Sequence, residues 1–242
     1  IKVKKVDNLN YGLTLPGATF AICEGAFNNY EDAASETVIK RTTTVNGKTG
    51  SLDIGEGYFG QLSRTEENGT LRAGQTYTIY EIAAPNGYKL DKKTYIITFP
   101  KTDGTVVTVP TGSTLKEFGS TVTVADQKVT SLYVKKVWEN DNNNEDGNRA
   151  SITVALKKTV NGITSTVENS SEELSNDNNW EYTWNELPTQ ESVNGNTYPV
   201  SYSVEEINVP SGYSVSYSKV TYNKSTNRYE CTVTNTYTKQ VK

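Results

Sequence analysis

Apolar and polar residues alternate along most of this chain in short runs, separated by turn residues at spacings typical of β-sandwiches. Clear runs are "TYTIYEI" (76–82), "TYIITF" (94–99), "TVTVAD" (121–126), "SITVAL" (151–156), "WEYTW" (180–184), "YSVEEI" (202–207) and "ECTVTN" (230–235). A period of two residues places alternate side chains on opposite faces, so each run predicts a strand with one face in a core. Helical periodicity is confined to "NNYEDAASETV" (28–38), which predicts a short helix inside a loop. The expected class is all-β.

The pattern repeats. Each half opens on a strand containing "VKKV", at Val3–Val6 and again at Val134–Val137. Each then carries a Tyr-x-Ile/Val-x-Glu-Ile strand and a Gly-Tyr turn, "YTIYEIAAPNGY" (77–88) and "YSVEEINVPSGY" (202–213). Each closes on an alternating strand that ends in a carboxylate or its amide, "VTVAD" (122–126) and "CTVTN" (231–235). Three markers in one order predict two homologous domains, 1–129 and 130–242.

Parity within the opening strands is unusual. Ile1, Val3 and Lys5 share one face, and Leu132, Val134, Lys136 and Trp138 share the matching one, so each strand aims a lysine at its core. The same parity puts Glu81 with Tyr77 and Ile79, and Glu206 with Tyr202 and Val204. It puts Asp126 with Val122 and Val124, and Asn235 with Cys231 and Val233, while Glu205 falls on the opposite face. Two triplets result: Lys5, Glu81 and Asp126, then Lys136, Glu206 and Asn235.

The plain reading of a triplet is a buried ion pair or polar network, which burial penalises by several kcal/mol per uncompensated charge. The sharper reading is a spontaneous isopeptide bond. Burial favours a neutral amine and a protonated glutamic acid. The amine of Lys5 or Lys136 attacks the side-chain carbonyl of Asp126 or Asn235, Glu81 or Glu206 relays protons, and water or ammonia leaves. A neutral amide replaces the costly charges.

Composition narrows the rest. The chain of 242 residues has no histidine, which removes the commonest general base and metal ligand, so no metal or cofactor is expected. Cys23 and Cys231 fall in different halves and are expected to be small buried hydrophobes rather than a disulfide. Net charge is −4, without a basic cluster, so nucleic acid is not an expected partner. No run approaches the roughly 20 apolar residues that span a bilayer, and no membrane insertion is expected. The first residue is Ile1, not Met, which sets the expectation of a mature or trimmed segment.

Both halves resemble the B-type repeats of Gram-positive collagen adhesins and pilins, the CnaB family. In the first half the resemblance lies in "IKVKKVD", "LPGATF" (15–20), "YTIYEIAAPNGY" and "TVTVAD"; in the second, in "VKKVWENDNNNEDGNR" (134–149), "WNELP" (184–188), "YSVEEINVPSGY" and "VTNTY" (233–237). It implies tandem Ig-like, transthyretin-like sandwiches, with crosslinks Lys5–Asp126 and Lys136–Asn235 promoted by Glu81 and Glu206. It also implies an extracellular, cell-wall-anchored location. Other pilin subunits or adhesin domains are the implied partners, joined by sortase through a signal outside this chain. The departures are Asp126 where most relatives have Asn, Ala150 where Pro often follows the arginine, and a longer segment between Phe20 and Leu71.

Several motifs carry no chemistry. "NNNEDG" (142–147) opens like a calcium loop, but Thr153 stands where the bidentate Glu would be. "LPGAT" (15–19) and "LPTQE" (187–191) lack the glycine of a sortase signal, and "FPKT" (99–102) is a poor match to a pilin lysine motif. "NGT" (68–70), "NSS" (169–171) and "NKS" (223–225) are expected to be polar loops, and the three tryptophans core or sheet-face residues. The expected role is therefore a non-enzymatic stalk or minor pilin module. The rival is a ligand-binding adhesin that recognises host matrix protein or glycan through the 24–70 segment or a groove between the two expected domains.

Overall fold

The computed structural model describes residues 1–63, 71–103, 105, 107–117, 119–142 and 149–238. The "NGT" sequon and nearly all of the "NNNEDG" turn lie outside the described residues. The chain divides into two compact units, Ile1–Lys128 and Val129–Lys242. The division falls one residue before the expected one, because Val129 already pairs with Pro188 in the second unit.

The first unit runs β1 (Lys2–Asp7), β2 (Thr19–Glu24), α1 (Tyr30–Ser35), β3 (Lys40–Thr43), β4 (Glu56–Tyr58), β5 (Leu62–Ser63), β6 (Leu71–Arg72), β7 (Thr76–Ala83), β8 (Thr94–Thr98), β9 (Thr114–Leu115) and β10 (Thr121–Asp126). One sheet has the order β10-β1-β4 and the other β3-β2-β7-β8-β9. Val3, Phe20, Ile22, Tyr77, Ile79, Val122 and Val124 fill the core. The first and last strands are parallel neighbours, with Lys5 opposite Val124.

The long segment after β2 has a structural role. Asn29 caps α1 by accepting from the amides of Glu31 (2.8 Å) and Asp32 (3.4 Å). The helix lays Ala33 on a second apolar cluster with Ala21, Cys23 and Tyr80. Strand β7 is thereby buried on both faces, Tyr77 and Ile79 on one and Thr78 and Tyr80 on the other.

The second unit runs β11 (Val129–Glu139), β12 (Ile152–Val160), β13 (Ile163–Thr166), β14 (Glu172–Leu174), β15 (Glu181–Pro188), β16 (Gln190–Val193), β17 (Asn196–Ile207), β18 (Tyr213–Tyr217), β19 (Thr221–Asn223) and β20 (Arg228–Tyr237). Its sheets have the orders β15-β11-β20-β18, with β19 on β20, and β13-β12-β17-β16, with β14 on β12. Leu132, Val134, Val154, Leu156, Trp184, Val204 and Val233 form the core. Again the first and last strands of the unit are parallel, with Lys136 opposite Val233. Strand β17 starts six residues before "YSVEEI" because its first half pairs with β16 as a largely exposed hairpin, where no hydrophobic alternation is needed.

Cys23 and Cys231 are buried free thiols. Trp184 belongs to the core, with Trp138 and Trp180 partly buried against it. Among the described residues no cluster of metal-ligating side chains occurs, and no helix is long and apolar enough to cross a membrane.

Candidate functional site

Each triplet is assembled by the same construction. Lysine comes from the unit's first strand and the acyl acceptor from its parallel neighbour, two residues beyond the lysine's partner: Val124 then Asp126, Val233 then Asn235. That diagonal on one sheet face is within reach of a long side chain. The glutamate comes from the facing sheet, Glu81 on β7 opposite Phe20 and Glu206 on β17 opposite Val154. Parity alone had selected these six residues, and the structure brings them together.

In the first unit Lys5, Glu81 and Asp126 are each no more than 1% exposed. Lys5 Nζ donates to Asp126 Oδ1 and lies 2.9 Å from Glu81 Oε1. Glu81 Oε2 accepts the Asp91 amide at 2.9 Å. Glu81 Oε1, despite its ion contact with Lys5, makes no aligned hydrogen bond, and neither does Asp126 Oδ2. One lysine nitrogen thus faces two carboxyl groups in a buried space, with the Phe20 ring centroid 5.4 Å from Nζ. Burial pushes the Glu81 carboxyl up to about 7, against the pull of Lys5. Burial also raises the Asp126 carboxyl, again opposed by Lys5. Burial thus biases both carboxyl groups toward the protonated form, whose carbonyl an amine can attack.

In the second unit Lys136, Glu206 and Asn235 are 3%, 5% and 0% exposed. Asn235 Nδ2 donates to Glu206 Oε1 at 2.7 Å, and Lys136 Nζ lies 3.6 Å from Glu206 Oε2. Asn235 Oδ1 has no hydrogen-bond partner among the described residues. Burial lowers the Lys136 ammonium to about 8, Arg149 assists, and Glu206 opposes. Glu205, on the outer face, instead pairs with Lys157 at 2.8 Å.

These shifts predict a pH dependence. In an uncrosslinked second unit, made by Asn235→Ala, the folded state holds fewer protons on Lys136 than the unfolded chain between about pH 8 and the ordinary lysine value of 10.5. Stability then rises with pH across that window, because the unfolded state binds more protons there. Urea midpoints measured from pH 7.5 to 10.5 check this. A flat profile would remove Lys136 as the buried titrating group.

Residues 132–236 match the Cna protein B-type domain model, and residues 1–114 match the prealbumin-like fold domain model. The chain thus carries a prealbumin-like fold domain in its first half and a Cna protein B-type domain in its second. Three solved structures similar to it are surface-protein domains. The B1 repeat unit of the collagen-binding surface protein Cna of Staphylococcus aureus is 20% identical, with 99% of this chain and 98% of that one covered and a TM-score of 0.35. Shaft pilin SpaA of Lactobacillus rhamnosus GG is 12% identical, with coverages of 100% and 98% and a TM-score of 0.31. A streptococcal ancillary pilin is 16% identical, with coverages of 98% and 61% and a TM-score of 0.31. No curated protein matches the chain. With these two domains it is an all-β structural module of the pilin and adhesin type. Beyond the triplets, its second unit holds a feature that parity could not find: Arg149 paired with Asp141, the guanidinium sharing the Trp138 ring with Lys136.

Proposed function

We propose that this chain is a load-bearing stalk or minor pilin module of a Gram-positive cell-surface pilus or adhesin, in which each unit closes one autocatalytic isopeptide bond. The observation that carries the reading is the matched register. In both units a buried lysine lies diagonal to its acyl acceptor on parallel strands, under a buried glutamate from the facing sheet.

The chemistry balances in each unit. Neutral Lys5 Nζ attacks Cγ of protonated Asp126. Glu81 accepts a proton from the amine and returns one to the departing hydroxyl, so an amide forms and water leaves. Lys136 attacks Cγ of Asn235, with Glu206 moving the proton to the departing nitrogen, and ammonia leaves. The turnover is single and intramolecular, so the protein is not an enzyme on external substrates. Cell-wall anchoring and sortase-mediated joining to other pilin subunits follow from the family and belong to this proposal.

Peptide mapping tests it. A protease digest is expected to contain the Lys5 peptide joined to the Asp126 peptide, and the Lys136 peptide joined to the Asn235 peptide. Recovery of all four peptides unjoined would end the reading. The rival, an adhesin that recognises host matrix protein or glycan through the 24–70 segment, gains little: among the described residues of 24–61, the exposed large hydrophobics are Ile54 and Tyr58.

A further inference from the structure

One polar cluster outside the triplets shares an aromatic ring with a triplet residue. Arg149 donates through Nε to Asp141 Oδ2 and through Nη2 to Asp141 Oδ1, each at 2.8 Å. Its guanidinium carbon lies 5.6 Å from the Trp138 ring centroid, and Lys136 Nζ lies 4.3 Å from the same centroid. The indole is held edge-to-face by Trp180 at 5.4 Å and Tyr213 at 5.0 Å. Tyr213 closes the cluster by donating to Asp141 Oδ2 at 3.4 Å. Asn140 and Asn142 take left-handed φ of 58° and 52°, a conformation asparagine tolerates, and so set Asp141 in a tight turn. The Asp141 side chain is 8% exposed and that of Arg149 23%, so water screens the cation weakly.

We infer that Arg149 is a positioning residue for the Lys136–Asn235 crosslink: held by Asp141 over Trp138, it disfavours the ammonium form of Lys136 and so presents a nucleophilic amine to Asn235. The inference rests on the crosslinking chemistry proposed above. Its physical basis is competition for one aromatic surface. An indole attracts a cation, but a guanidinium and an ammonium at the same ring repel each other, whereas a guanidinium and a neutral amine do not. The groups acting on Lys136 oppose one another. Glu206 from β17 favours the ammonium, burial and Arg149 disfavour it, and Asp141 tempers the arginine. Tyr217, whose hydroxyl accepts the Glu206 amide at 2.9 Å, and Tyr213 complete the surround.

Among its described residues the first unit has no such arrangement. Trp138 pairs with the acyl acceptor Asn235, and the corresponding partner of Asp126 is Asp7. Asp7 is buried, with its carboxylate taken up by the amides of Leu9 (2.8 Å) and Asn10 (2.9 Å) and the Tyr88 hydroxyl (3.1 Å). The first crosslink is therefore an internal control.

The test uses the full chain, recovered unfolded from denaturant and refolded at pH 6 to 10. Samples are quenched at intervals, and each crosslink is quantified separately from its joined peptides. In Arg149→Gln, the rate–pH midpoint for the Lys136–Asn235 bond is expected to move up by about half to one unit. That is about three- to tenfold slower closure below the midpoint, with full closure at high pH and no change at Lys5–Asp126. Arg149→Lys keeps the charge and is expected to keep most of the midpoint. An unshifted midpoint in Arg149→Gln would overturn the inference. So would loss of closure at every pH in both variants, which would give the arginine a folding role. Absence of the bond in the wild-type chain would instead defeat the underlying crosslink reading.

Discussion

The intact protein is expected to weigh less than its encoded sequence by one water and one ammonia. Lys5 closing on a carboxylic acid releases water, and Lys136 closing on a carboxamide releases ammonia. Glu81→Ala is expected to restore the water alone and Glu206→Ala the ammonia alone, because each glutamate serves its own unit. The size of the effect follows from what each glutamate does. On the proposed chemistry it is the proton carrier of its buried triplet, and in the second unit it also accepts from the acceptor amide at 2.7 Å. Alanine leaves an amine and an acyl group in proximity with no path for the proton, so closure falls by the hundredfold or more typical of a lost general acid–base. High-resolution mass spectrometry of the three proteins decides the matter, and the full encoded mass in the wild type would sink the chemistry. Asp126→Asn is informative beside them: it turns the lost water into a second ammonia without moving the site.

The second large effect is mechanical. When the chain is pulled from its ends, each unit is loaded through its first and last strands, which run parallel and side by side. In the first unit the proposed amide between Lys5 and Asp126 would carry the load from the middle of β1 to the end of β10, leaving the residues between them unstretched. Single-molecule pulling on the wild-type chain is expected to show no unfolding extension from either unit. In Glu81→Ala or Glu206→Ala, the affected unit is expected to release about 30–40 nm, the extended length of roughly 100–120 residues. A wild-type trace with those extensions would remove the load-bearing role. Closing loops of that length also restrains the unfolded chain, by about 4–5 kcal/mol per unit if the disulfide loop-entropy estimate carries over. In a chain whose two cysteines sit as free buried thiols in separate units, no disulfide supplies that restraint.

Sequence alternation by itself determined the strands that matter and the faces they turn inward. Because side-chain direction in a strand follows parity, Lys5, Glu81, Asp126 and their three counterparts could be placed in a core before any coordinates. The repeat of the pattern located the two units to within one residue. Tertiary structure decided what parity cannot address. The outer face of β7 is buried because α1 folds back over it, and parity sorts a strand's residues onto two faces without telling whether the second face is covered. The first half of β17 extends as a solvent-facing hairpin, where pairing is satisfied by backbone alone and the side chains are unconstrained. The diagonal from lysine to acceptor and the pairing of Arg149 with Asp141 beside Lys136 depend on strand register and on left-handed turns. Strand register is set by contacts between residues far apart in the chain, which no local pattern records, and the eight-residue Asp141–Arg149 pairing has no periodicity to announce it.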